Sequence, residues 1–164
     1  MRTPLGRGRV AAAIISLAVL LGGASASAQA PTRGEWRDGA NEICAGIVDR
    51  NVELFDRFQL LFADERYGPA SEVLAKVFHR ARDAFERIGE LARPPAEARA
   101  IGRFVRGELR SFEVTDAVVR ALADGRLGAY ERKFDRAAKI DRQAQREVRG
   151  FKPKVCFSRD DGEV

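Results

Sequence analysis

The chain has 164 residues, 45% of them hydrophobic, a formal net charge of +5, two cysteines and one histidine. That length suits a single domain with a real core. One histidine and no Cys-x-x-Cys spacing argue against a histidine-based metal site, a thioredoxin-like redox centre and a c-type haem.

Residues 1–28 read as a secretory signal. Arg2, Arg7 and Arg9 form a basic start, and Val10 to Gly23 is an apolar or small run of 14 residues. The run fits the apolar stretch of a signal and falls short of the roughly 20 residues of a spanning helix. Ala24 to Ala30 offers overlapping small-x-small cleavage sites, and Pro31 disfavours a cut after Ala30, which places it after Ala28 or Ala26. No cysteine lies near the cut, so no bacterial lipid anchor is expected. The rival reading is an uncleaved membrane anchor, because Val10–Ala30 is just long enough to span. A secreted or otherwise extracytoplasmic location follows, in a compartment that permits disulfides. Three basic and no acidic residues fall in 1–28, so residues 29–164 carry a net charge of only +2. With no aromatic-interleaved basic patch, nucleic acid is not an expected partner.

Turn signals divide the domain over 29–164 into four helical segments. Thr32-x-x-Glu35 is a capping box before Trp36 and opens a helix over about 34–64, with Tyr67-Gly68-Pro69 as its stop. A second helix covers about 70–92. Pro94-Pro95 breaks the chain and supplies the first-position proline of a third helix over about 95–123, which Asp124-Gly125 caps. The fourth covers about 127–149, followed by Gly150, Pro153 and a tail over 150–164. No segment alternates with period two, so no sheet is expected. Apolar residues share one arc of each helix: Trp36, Ala40, Ile47 and Leu61 in the first, Leu74, Val77 and Phe85 in the second. In the third they are Ile101, Val105 and Leu122, and in the fourth Tyr130, Phe134, Ala138 and Val148. The expected fold class is all-α, an up-down-up-down antiparallel four-helix bundle in which the first and fourth helices are neighbours.

In that topology both chain ends lie at one end of the bundle. Cys44 and Cys156 then need only the tail folding back to meet, closing a loop of about 110 residues worth on the order of 4–5 kcal/mol. Intermolecular pairing is the alternative. Charge is unevenly placed: Glu35 to Glu72 holds nine acidic and four basic residues, Arg126 to Lys154 ten basic and four acidic. Opposite charges are thus expected across the seam between the first and fourth helices. Arg132, Arg136, Lys139, Arg142 and Arg146 form a basic strip suited to an anionic surface.

Three polar residues fall within apolar arcs: Asn51, Glu108 and Asp141. All sit near mid-helix and are expected to meet in one buried polar layer, with Thr115 and Gln145 nearby. A buried carboxylate without a partner costs several kcal/mol, so the layer should be hydrogen-bonded and should fix register. A ligand or cation site, or acid–base chemistry at Glu108 and Asp141, is the lesser reading. No G-x-S-x-G or P-loop occurs, and His79 lies opposite the apolar arc of its helix, exposed to solvent. No cofactor, metal site or catalytic residue is therefore expected. The ten phenylalanines recur at core spacing; they fill the core or, in a second reading, line an apolar cavity.

Short motifs carry a resemblance over essentially all of residues 29–164. They are Asn41-Glu42-Ile43-Cys44-Ala45, Leu91-Ala92-Arg93-Pro94-Pro95, Asp124-Gly125, and Gly150-Phe151 shortly before Cys156. In these the chain resembles a set of uncharacterised exported actinobacterial helical-bundle proteins. The resemblance implies an all-helical, disulfide-linked envelope protein and transfers no active site. Many of that set carry a lipobox cysteine, which this chain lacks. The expected function is an exported, non-enzymatic bundle, monomeric, acting as a binding or structural component of the cell envelope. Its partner would be an envelope protein, an anionic polymer or a lipid surface. The runner-up is a carrier holding a small apolar ligand in the Phe-rich interior.

Overall fold

The computed structural model describes residues 29–153. Four helices make up this part of the chain: α1 (Arg33–Ala63), α2 (Tyr67–Glu90), α3 (Ala98–Ala123) and α4 (Leu127–Arg146). Consecutive helices pack against each other, and the fold is an all-α four-helix bundle without a strand among the described residues. The expected signal over 1–28, the tail beyond Pro153 and Cys156 lie outside the described residues.

The capping box at the start of α1 forms as expected. The Thr32 backbone N–H donates to Glu35 Oε2 at 2.7 Å, and the Glu35 N–H donates to Thr32 Oγ1 at 3.2 Å. These bonds favour the charged carboxylate and hold Glu35 below its ordinary range.

Other boundaries differ from expectation. α2 starts at Tyr67 and takes Gly68 and Pro69 into its first turn, where a missing N–H costs nothing. α3 starts at Ala98, three residues later than the prolines suggest: the Glu97 N–H donates to the Pro94 carbonyl, so the segment turns before the helix begins. α4 stops at Arg146. The Glu147, Val148 and Arg149 N–H groups bond three residues back, a tightened last turn that replaces the expected helical extension.

The chain is built as two helical hairpins with nearly the same connection. Ala63-Asp64-Glu65-Arg66-Tyr67-Gly68 joins α1 to α2, and Ala123-Asp124-Gly125-Arg126-Leu127-Gly128 joins α3 to α4. In each, the third residue has positive φ: 57° at Glu65 and 66° at Gly125. In each, the fourth residue's N–H reaches back to the helix, Arg66 to Leu61 O and Arg126 to Ala121 O, at 2.8 and 2.9 Å. Numbering one hairpin against the other with an offset of 60 therefore pairs α1 with α3 and α2 with α4. It also pairs the α2–α3 seam with the α1–α4 seam.

The core divides in two. One cluster gathers Trp36, Ala40 and Cys44 with Phe85, Ile88, Ile101, Phe104, Ala144 and Val148, at the end that holds the start of α1 and the end of α4. The other gathers Leu61, Ala70, Val73, Leu74, Val118 and Leu122 at the opposite end. Trp36 meets Phe151 edge to face at 5.9 Å, so the two ends of the described chain do lie together.

Candidate functional site

Between the two clusters the bundle has a polar waist, formed by buried Asn51, Glu108, Ser111 and Thr115. Ser111 and Thr115 are satisfied within α3: their hydroxyls donate to the Glu108 and Phe112 carbonyls, each at 2.7 Å. Glu108 is 3% exposed and lies beside Asp141 of α4. Burial first, and the Asp141 charge second, push its carboxyl up to about 10. At neutral pH Glu108 is thus a neutral acid beside Asp141. Gln145 Nε2 holds the Asp141 carboxylate from one turn away, donating to its two oxygens at 2.9 and 3.0 Å. One Glu108 oxygen, Oε1, is buried with no hydrogen-bond partner.

The expected three-residue layer is therefore two separate groups. Glu108 and Asp141 come together, with Asp141 half-buried rather than sealed in the core. Asn51 is buried, but its Oδ1 accepts from Arg80 Nη1 at 3.4 Å, and the same Nη1 donates to the Arg50 carbonyl at 2.6 Å. Asn51 secures the α1–α2 contact instead.

The seam beside the waist is not closed. No Cα of α1 comes within 8 Å of one in α4, so the two helices are not the close neighbours expected, and their opposite charges do not face across a packed interface. Among the described residues ring contacts tie them near the ends, through Phe62 and Tyr130, 6.0 Å between ring centres, and through Trp36 and Phe151. Between these ties α1 leaves Val48, Val52 and Phe55 at 45%, 51% and 42% exposure, and α4 leaves Phe134, expected in the core, at 40%. Val48, Val52 and Phe55 lie at one-turn and two-turn spacing, on the flank of α1 that also carries Phe62.

The α3–α4 seam is the opposite case. A Cβ on Gly107 would lie 2.5 Å from Ala144 Cβ, so the glycine lets these backbones approach closely. Outside this contact runs an open groove of about 1090 Å³, lined by Arg103, Arg106 and Arg110 from α3 and Arg136 and Lys139 from α4, with Glu113 and Glu147. Arg103 is paired with Glu147 at 2.7 Å. Arg106, Arg110, Arg136 and Lys139 make no ion pair among the described residues. Of the expected basic strip, Arg136 and Lys139 enter this groove, while Arg132, Arg142 and Arg146 are exposed outside it. The α3 arginines recur at positions 103, 106 and 110, a spacing legible in the sequence; what pairs them with α4 is the α3–α4 contact.

His79 is exposed, as expected, beside Asp83 at 3.6 Å. No group of three metal-ligating side chains occurs among the described residues. The phenylalanines pack on one another: Phe85 meets Phe104 and Phe112, and Phe62 meets Phe58 and Tyr67, at 5.6–5.9 Å. Among the described residues no helix is long and apolar enough to cross a membrane. No protein-family model, curated protein or solved structure matches the chain.

Proposed function

We propose that this chain is an exported, non-enzymatic helical bundle of the cell envelope that binds an anionic polymer or lipid surface through the α3–α4 groove. The observation that carries the reading is the set of four cations, Arg106, Arg110, Arg136 and Lys139, with no ion pair among the described residues, on facing helices of one open groove. Two rows of like charge held on rigid helices draw a polyanion and repel a cation, and with few acidic neighbours little of that field is cancelled locally. The interior offers less to the alternative, a carrier of small apolar ligands, because its aromatic rings fill one another's space.

A Cys44–Cys156 bond belongs to the same proposal. Cys44 is buried in the end cluster that also holds Phe151, and Cys156 follows Phe151 by five residues, a reach of about 16 Å. A monomer whose mass rises by two hydrogens on reduction supports the bond; a reducible dimer overturns it.

The binding reading is tested with vesicles of anionic phospholipid and, in parallel, a soluble polyphosphate, each titrated across salt concentrations. Binding should weaken steeply with salt. Arg106→Glu with Arg110→Glu should remove it, while the same reversal at Arg57 and Arg87 leaves most of it. Vesicles alone binding would identify a lipid surface, and polyphosphate binding a polymer. Flat salt dependence, or equal loss from both pairs, would refute the groove.

A further inference from the structure

The waist of the α1–α4 seam joins three features that groove binding does not use. Glu108 Oε1 is an acceptor, sealed from solvent, with nothing donating to it. Buried acceptors are nearly always satisfied, so an empty one marks a place where a donor is wanted. Asp141, its neighbour, is half-buried on the same flank of α4 as exposed Phe134, two turns away, so Asp141 is reached from the side of the seam, with Glu108 sealed behind it. Across the seam, Val48, Val52 and Phe55 give α1 an apolar strip about 10 Å long with no helix covering it.

We propose that this seam is a second binding site, for a primary alkylammonium: Glu108 and Asp141 take the charged head, and Val48, Val52, Phe55 and Phe134 take the chain. The charge of the pair selects a cation. With Glu108 neutral the two carboxyls hold one negative charge between them, which a single ammonium neutralises. An ammonium brings three donors, enough for Oε1 and for the lone pairs of Asp141 that Gln145 leaves open. Two carboxyls without a third ligating side chain do not make a divalent-metal cage. The length of the strip suits a chain of medium length rather than a long lipid tail. This site stands apart from the α3–α4 groove and carries the opposite charge.

Octylammonium binding to the purified chain, followed by calorimetry with octanol and octanoate as controls, tests the proposal. Octylammonium should bind, with octanol weaker by roughly tenfold or more and octanoate not bound. Asp141→Asn should cost a similar factor. Glu108→Leu should lose binding too, while Glu108→Gln, which keeps an acceptor, retains it. Val52→Ser should weaken octylammonium without changing its preference over octanol. Equal binding of octanol and octylammonium would overturn the assignment, as would an Asp141→Asn variant that binds unchanged. Self-association through the strip, lost in Val52→Ser, would give the face to a second copy and also overturn it.

Discussion

The α2–α3 and α1–α4 seams occupy equivalent places in the two hairpins, yet one is sealed and the other is open. In the sealed seam Phe85 of α2 packs on Phe104 and Phe112 of α3 at 5.8 and 5.9 Å, and Gly89 lies against Val105. With the offset of 60, Phe85 becomes Gln145, Ala81 becomes Asp141, and Phe112 becomes Val52. A ring pair is replaced by an amide and a methyl-bearing side chain on helices with no Cα pair within 8 Å. The same offset sets buried Glu108 of α3 against exposed Val48 of α1. Two substitutions in the inner face of α4 thus account for a helix that is held mainly by α3, and for a carboxyl pair left beside the gap. A bundle can keep its topology while one of its seams is given over to something other than packing.

The comparison is broken most forcefully at its aromatic anchor. Phe85→Ala should destabilise the bundle by about 3–5 kcal/mol, whereas Gln145→Ala, at the equivalent place, should cost under about 0.5 kcal/mol, both read by denaturant unfolding. Equal costs would mean that the α1–α4 seam is packed after all. Gly107→Ala should cost about 1–3 kcal/mol, because the added methyl meets Ala144 across the close α3–α4 contact.

The waist adds a pH dependence. Glu108 keeps its proton in the fold up to about 10 but loses it near 4.5 when unfolded. The folded state therefore binds more protons between those values. Its stabilising share is fully present below about 4.5 and is lost progressively as pH rises toward 10, by at most about 1.4 kcal/mol per pH unit. Glu108→Gln should flatten this slope and leave the chain more stable in mildly alkaline buffer. A slope unchanged in Glu108→Gln would show that the proton sits elsewhere.

The smallest effect lies in the turns. Glu65→Gly gives the first hairpin the residue that Gly125 supplies in the second, and should stabilise by about 1 kcal/mol by relieving a non-glycine at φ 57°. A thermal shift of the opposite sign would show that the Glu65 side chain compensates.

Much of the fold is legible in the residues themselves. The Thr32–Glu35 box, the Asp124-Gly125 stop and the four apolar arcs give the helices and their order. Pro69 misleads because proline, though a helix breaker, is also comfortable in a first turn. Pro94 and Pro95 mislead because a turn at Glu97 separates them from α3. That Glu108 and Asp141 would be partners follows from burying a carboxylate at mid-helix. Separating Asn51 from them required knowing that Arg80 reaches across from α2. Periodicity reports which face of α1 is apolar, but Val48, Val52 and Phe55 look the same whether a helix covers them or not. That depends on α4, whose inner face at Asp141 and Gln145 is too polar to come in.

The most direct measurement is the carbon-13 NMR titration of the Glu108 carboxyl in the folded chain, assigned with Glu108→Gln. A neutral carboxyl at physiological pH, titrating near 10 and moved by Asp141→Asn, is the expected result. An ionised carboxylate titrating close to 4.5 would contradict it, and with it the shared proton at the waist of an open seam.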